Sequence, residues 1–178
     1  RGCDATRFTE LRALEPYYHA RPWSAALAGK RVLVVHPFRR TILAQYEKRT
    51  QLFPGKDVLP ELASLTVIQA VQGLGGQDTG YASWFDARAE MERRMDAADY
   101  DVAIIGAGAY SLPLAAHARD TGHAAIQMSG ATQLLFGIKG KRWDDHPVIS
   151  KLYNPAWVRP DETEGISNKE KVEGGSYW

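Results

Sequence analysis

One cysteine in 178 residues, Cys3, leaves no partner for an internal disulfide and no thiolate set for a structural metal. A reducing, cytoplasmic compartment is the expectation that follows. Charge of one sign is equally scarce. The 22 basic residues stand against 21 acidic ones, a net charge of +1. Nucleic acid and anionic membrane surfaces are therefore not expected as the main partners. No apolar run approaches the roughly 20 residues that a bilayer crossing needs, and Arg1-Gly2-Cys3-Asp4 does not read as a signal peptide. No methionine opens the chain, which reads as residues missing before Arg1. What is present is a hydrophobic fraction of 44%, enough for a core, in a length suited to one domain with a short appendage.

Periodicity gives the order of elements. Phe8, Leu11 and Leu14 form one stripe over residues 5–19, a helix that Pro16 ends near Glu15. Pro22 to Leu27 reads as a helical turn closed by Gly29. Val32-Leu33-Val34-Val35 is short, continuous and rich in β-branched residues, as a strand buried on both faces should be. Thr41 to Arg49 follows as a helix turning Ile42, Leu43 and Tyr46 inward, and Thr66 to Val71 is a second strand. After a glycine-rich loop, 73–80, an amphipathic helix spans 82–97, with Trp84, Phe85, Ala89 and Met91 or Met95 as its apolar stripe. Val102 to Ile105, a helix over 111–121, Ala124 to Met128 and a helical stretch over 131–136 complete the alternation. Strands alternating with helices imply a three-layer α-β-α, Rossmann-like sandwich around a mostly parallel sheet over residues 1–150. Residues 151–178 read as an extended tail over the surface, since Pro160 to Gly175 is poor in apolar side chains.

In such a sheet ligands bind beyond the carboxyl ends of the strands, so the strand exits are where chemistry is sought. The third strand runs into Gly106-Ala107-Gly108-Ala109-Tyr110-Ser111. Small residues before a helix make either an anion cradle of backbone N–H groups or merely a tight turn. Ser111 is placed to cap that helix, with Pro113 in its first turn. The first strand exits through His36-Pro37-Phe38-Arg39-Arg40-Thr41. The imidazole is a candidate general base or orienting group. Arg39 and Arg40 either neutralise a diphosphate or are solvated helix-start residues. Ser129, Gly130, Thr132 and Gln133, after the fourth strand, could hydrogen-bond a sugar or base, or Ser129 could simply cap a helix. Lys141, Arg142 and Trp143 combine cations with an indole, either closing over a phosphorylated ligand or forming a solvated basic loop.

Other patterns carry less. The glycines at 106 and 108 do not make a dinucleotide fingerprint. Ser111 stands where a third glycine belongs, the turn follows the third strand, and no acid ends the next one. Asp99-Tyr100-Asp101 has the shape of a metal-nucleotide motif but precedes its strand, at the wrong edge of the sheet. Asp144-Asp145-His146 has metal-ligand residue types in a polar loop, where adjacent carboxylates are usually solvated. There is neither a P-loop nor a nucleophile elbow.

Four blocks together resemble a family of uncharacterised bacterial proteins found with surface-polysaccharide genes. They are Gly29 to Phe38, Tyr46 to Arg49 with Leu52-Phe53, Asp101 to Tyr110, and Gly137 to Trp143; the ending Val172 to Trp178 is similar too. More loosely, residues 101–122 and 124–130 resemble the GT-D type glycosyltransferases, which are Rossmann-like and use nucleotide sugars with a divalent metal. That resemblance implies a nucleotide-sugar pocket at these turns and a divalent metal as cofactor. The Asp-x-Glu metal motif of that type has no counterpart in residues 1–35. The expectation is a glycosyltransferase-like domain binding a nucleotide sugar or similar phosphorylated ligand. The alternatives are a noncatalytic binding or assembly module and a nucleotide-cofactor oxidoreductase or a hydrolase. Tyr177 and Trp178 also raise the expectation of docking on a second subunit as a homodimer.

Overall fold

Leu33 and Val35 point to one face of the central strand and Val32 and Val34 to the other, and all four are buried. A strand with no polar face must be covered by helices on both sides, and it is. The computed structural model describes residues 9–73, 76–167 and 169–178. Its strands are β1 (Arg31–His36), β2 (Ser64–Gln69), β3 (Val102–Ile105) and β4 (Ala124–Gln127). They form one parallel sheet in the order β2-β1-β3-β4. The α-helices are α1 (Arg39–Tyr46), α2 (Arg49–Leu52), α3 (Trp84–Asp96), α4 (Ser111–Asp120) and α5 (Ala131–Leu135). The three-layer α/β sandwich expected from the alternation is the architecture observed.

Each face has its own core. Val32, Val34 and Val67 pack with Ile42 of α1, Leu134 and Leu135 of α5, and Trp157. Leu33, Val35 and Ile105 pack with Met91 and Met95 of α3 and Leu114 of α4 on the opposite face. Burying each such side chain stabilises the fold by about 1.5–3 kcal/mol. Because α1 leads from β1 to β2 on one face and α4 from β3 to β4 on the other, the order of strands reverses between β1 and β3. Their exits diverge there and leave a crevice.

Several details differ from the sequence expectation. Instead of one helix over 5–19, there are 3₁₀ turns at Leu11–Leu14 and Pro16–Tyr18, divided at Glu15; Phe8 lies outside the described residues. Pro16, at the start of the second turn, cannot donate to continue a helix. In α3 the inward stripe is Ala87, Met91 and Met95, while Phe85 is 71% exposed and Ala89 also faces out. Capping by Ser83, whose Oγ accepts the Asp86 N–H, sets where the helix begins and hence which residues turn inward. The largest difference is in 151–178. Rather than lying extended on the surface, this segment buries Trp157, Glu164, Ile166 and Val172 and makes 3₁₀ turns at Glu162–Glu164 and Lys169–Lys171. Trp157 donates its indole N–H to the Leu52 carbonyl at 2.9 Å, and Gln45 of α1 donates to the Ala156 carbonyl at 2.9 Å. Sparse apolar residues hold the segment because each has a specific seat.

Candidate functional site

At the reversal between β1 and β3, a cavity of about 100 Å³ is lined by His36, Pro37, Gln72, Gly106, Gly108 and Gln133. Ser129 and Gly130 close one side, and Tyr177 and Trp178 cover it. A second cavity, of about 210 Å³, continues from Pro37, Gln72 and Gly108 to Trp84 and Tyr110. Those two rings stack with centroids 5.0 Å apart. The crevice thus runs across the carboxyl ends of β1, β3 and β4. Among the described residues, no Asp or Glu side chain lines either cavity.

His36 ends β1 and is only 3% exposed. Its Nδ1 accepts the Phe38 N–H at 3.1 Å, which places the ring proton on Nε2. Burial pushes the imidazole down to about pH 3, because a low-dielectric site disfavours the cation. His36 is thus a neutral donor at physiological pH. An imidazole with its acceptor nitrogen engaged orients a ligand rather than taking a proton from it.

Gly106 has to be glycine. A Cβ there would stand 2.6 Å from the Ser129 carbonyl oxygen, 2.6 Å from Thr132 Oγ1 and 2.8 Å from the His36 ring. Gly108 adopts φ +55, a left-handed conformation that side chains resist. It opens a 3₁₀ turn, Gly108–Tyr110, that runs directly into α4. The first N–H groups of a helix have no partner within it, and Gly108 and Ala109, at the start of this turn, line the crevice near the positive end of the helix dipole. Ser111 does not cap α4. It is buried, and its Oγ accepts the Ala107 N–H at 2.7 Å, closing the turn from behind.

Beyond β4, Ser129 holds φ +52, strained for a residue with a side chain. Its carbonyl accepts the Thr132 N–H, and α5 has no side-chain cap. Gln133 is fully buried, and its Nε2 donates to the carbonyls of Ile138, Lys139 and Tyr177. With the amide fixed in this way, neither its Oε1 nor Thr132 Oγ1 has a partner among the described residues.

The other expected site residues lie elsewhere. Arg39 donates from Nε to the Val67 carbonyl at 3.0 Å, along β2. Arg40 reaches Thr163 Oγ1 at 3.3 Å. The start of α1, where a diphosphate was expected beside these arginines, holds the carboxylate of Glu164. This group accepts the backbone N–H groups of Arg40 and Thr41 and the Thr41 hydroxyl. Lys141 and Arg142 sit outside the crevice. Lys141 Nζ lies 3.4 Å from the Gly174 carbonyl, and Arg142 lies over the rings of Trp143 and Tyr177, beside an adjoining cavity of about 240 Å³ that shares Ser129, Gly130 and Tyr177 with the crevice. Tyr110 floors the adjoining cavity. Sequence reasoning missed Gln72 and Glu164 as crevice-edge residues. It also directed Tyr177 and Trp178 to a second subunit, whereas both dock into this chain's own crevice.

The residues do not fit a divalent cation. Among the described residues, no group of three or more His, Cys, Asp or Glu is placed to hold one. Asp99 and Asp101 both pair with Arg31 at the opposite edge of the sheet. Asp144 pairs with Arg159, and His146 Nδ1 accepts the Val148 and Ile149 N–H groups. No described helix is long and apolar enough to cross a membrane. Compared with family models, curated proteins and solved structures, the chain matches none.

Proposed function

We propose that this chain is a glycosyltransferase-like binding domain that takes a nucleotide sugar, or a comparable phosphorylated small molecule, in the crevice between β1 and β3. One observation carries the reading. The helix-start residues Gly108 and Ala109 and the neutral, Nε2-protonated His36 line one cleft to which, among the described residues, no Asp or Glu side chain contributes. Such a donor set favours an anion at the turn, with His36 orienting it. The Trp84–Tyr110 floor offers an aromatic platform for a base, and Ser129 and Gln133 offer acceptors for sugar hydroxyls.

The reading is one of binding rather than turnover. With Nδ1 engaged and the ring neutral to about pH 3, His36 is a poor general base, and among the described residues no Asp or Glu lines the cleft to replace it. A noncatalytic role in an assembly of polysaccharide enzymes is the function consistent with that inventory.

The test is a thermal-shift and calorimetric panel of nucleotides, nucleotide diphosphate sugars and NAD(P), each with and without manganese. A ligand that binds only the native state raises its stability by mass action. One class of diphosphate sugar is expected to shift the transition selectively, equally without manganese, and less in His36→Gln. A shift by NAD(P) alone would move the assignment to a cofactor-dependent oxidoreductase, and no shift by any member would refute the reading.

A further inference from the structure

We propose that residues 160–167 and 169–178 act as an intramolecular competitor for the crevice, holding it closed until a phosphorylated ligand displaces them. This rests on the reading above that such a ligand binds there. Three independent features support it. First, the segment places an anion at the start of α1. Glu164 is 3% exposed, and its carboxylate takes two backbone N–H groups and the Thr41 hydroxyl, as a bound phosphate oxygen would. Gln72, which lines the crevice, donates to the Glu164 carbonyl at 3.2 Å and so joins this contact to the cleft.

Second, Tyr177 and Trp178 fill the other end imperfectly. The Tyr177 carbonyl accepts from Gln133 Nε2, and the Trp178 ring meets Phe38 edge-on at 6.0 Å. Yet among the described residues Gln133 Oε1 and Trp178 Nε1 are both buried without partners. A permanent core contact seldom leaves an acceptor and a donor unpaired in one cover. A ligand hydroxyl can satisfy Gln133 where the cover does not. Third, the turn that aims Tyr177 and Trp178 carries one strained residue. Glu173 holds φ +49, a left-handed conformation that a side chain resists, just before the glycines Gly174 and Gly175, which adopt it freely, and such strain gathers at switching segments.

Closing by this segment reduces apparent affinity by the fraction of molecules that are open. The probe is inorganic pyrophosphate, the group common to nucleoside diphosphate sugars, titrated calorimetrically into the whole chain. Glu164→Ala and Trp178→Ala are each expected to bind it more tightly than wild type, on the order of tenfold. Saturating pyrophosphate is expected to speed amide exchange across 160–178 in the wild-type chain. Circular dichroism checks folding. Should Glu164→Ala not fold, Glu164→Gln carries the test, with a smaller gain in the same direction. Equal affinities in wild type and variants, with pyrophosphate bound, would overturn the competitor and leave the binding site standing. Absence of binding in every form would overturn both.

Discussion

At the amino edge of the sheet, polar groups are paired and wet. The Arg31 guanidinium bridges Asp99 and Asp101, Asp101 also accepts the Arg31 N–H at 2.9 Å, and these side chains are partly or largely exposed. At the carboxyl edge, polar groups are buried and several are unpaired. His36 is neutral, Thr132 Oγ1 and Gln133 Oε1 lack partners among the described residues, Ser129 is left-handed, and Gly106 leaves no room for a methyl group. The same four strands supply both edges. One edge is arranged for stability at little cost; the other retains unfavourable features that folding alone does not require. Such a division supports the binding proposed at the carboxyl edge.

The largest predicted effect comes from His36. Its folded value, about 3, lies below its ordinary 6.5, so between those values the unfolded chain holds a proton that the folded chain does not. Stability is then unaffected above pH 6.5 and falls as pH drops towards 3, by about 1.4 kcal/mol per pH unit. Urea melts from pH 7 to 5, above the main carboxylate range, should show the slope in wild type and its loss in His36→Gln.

Next in size, Gly106→Ala forces a Cβ against the Ser129 carbonyl and should cost about 1–3 kcal/mol. Gly29→Ala near the amino edge meets nothing within 4 Å and pays only for its φ of +68, about 1 kcal/mol. Equal losses in denaturant midpoints would erase the contrast between the edges. Glu164→Ala removes a buried cap from α1 and should cost about 2 kcal/mol, even as it opens the crevice. The smallest effect belongs to Asp101→Asn. Arg31 holds Asp101 down at about 2 against an ordinary 3.8, so its contribution is present above pH 3.8 and lost as pH falls towards 2. Exposure to water screens it, and thermal melts at pH 7 should barely separate the variant from wild type.

Much of the fold was legible because hydrophobic runs report burial directly. Val32 to Val35 and Val102 to Ile105 are continuous and rich in β-branched residues, and both are interior strands of the sheet. The inward face of α3 was not, because Phe85 and Ala87 are two apolar residues on different sides and only the Ser83 cap decides between them. His36, Gly106, Gly108, Ser129 and Gln133 are candidates from their places at strand exits, and the structure gathers them around one cavity. Arg39 and Arg40 were misdirected because nothing local reveals that Glu164, 123 residues beyond Thr41, takes the anion's place. Long-range pairing of one carboxylate with one helix start has no periodicity to read. The same holds for Tyr177 and Trp178, aromatic in a polar stretch, whose seat is made by distant glycines such as Gly130.

The most direct test of the division between edges is amide hydrogen exchange, residue by residue, with and without the diphosphate sugar selected by the panel. Ligand-dependent protection is predicted at 106–111 and 127–133, at the carboxyl edge, with no change at Arg31 or 99–101. Protection centred on the amino edge, or on the separate cavity bounded by Phe53 and Asn154, would contradict the account.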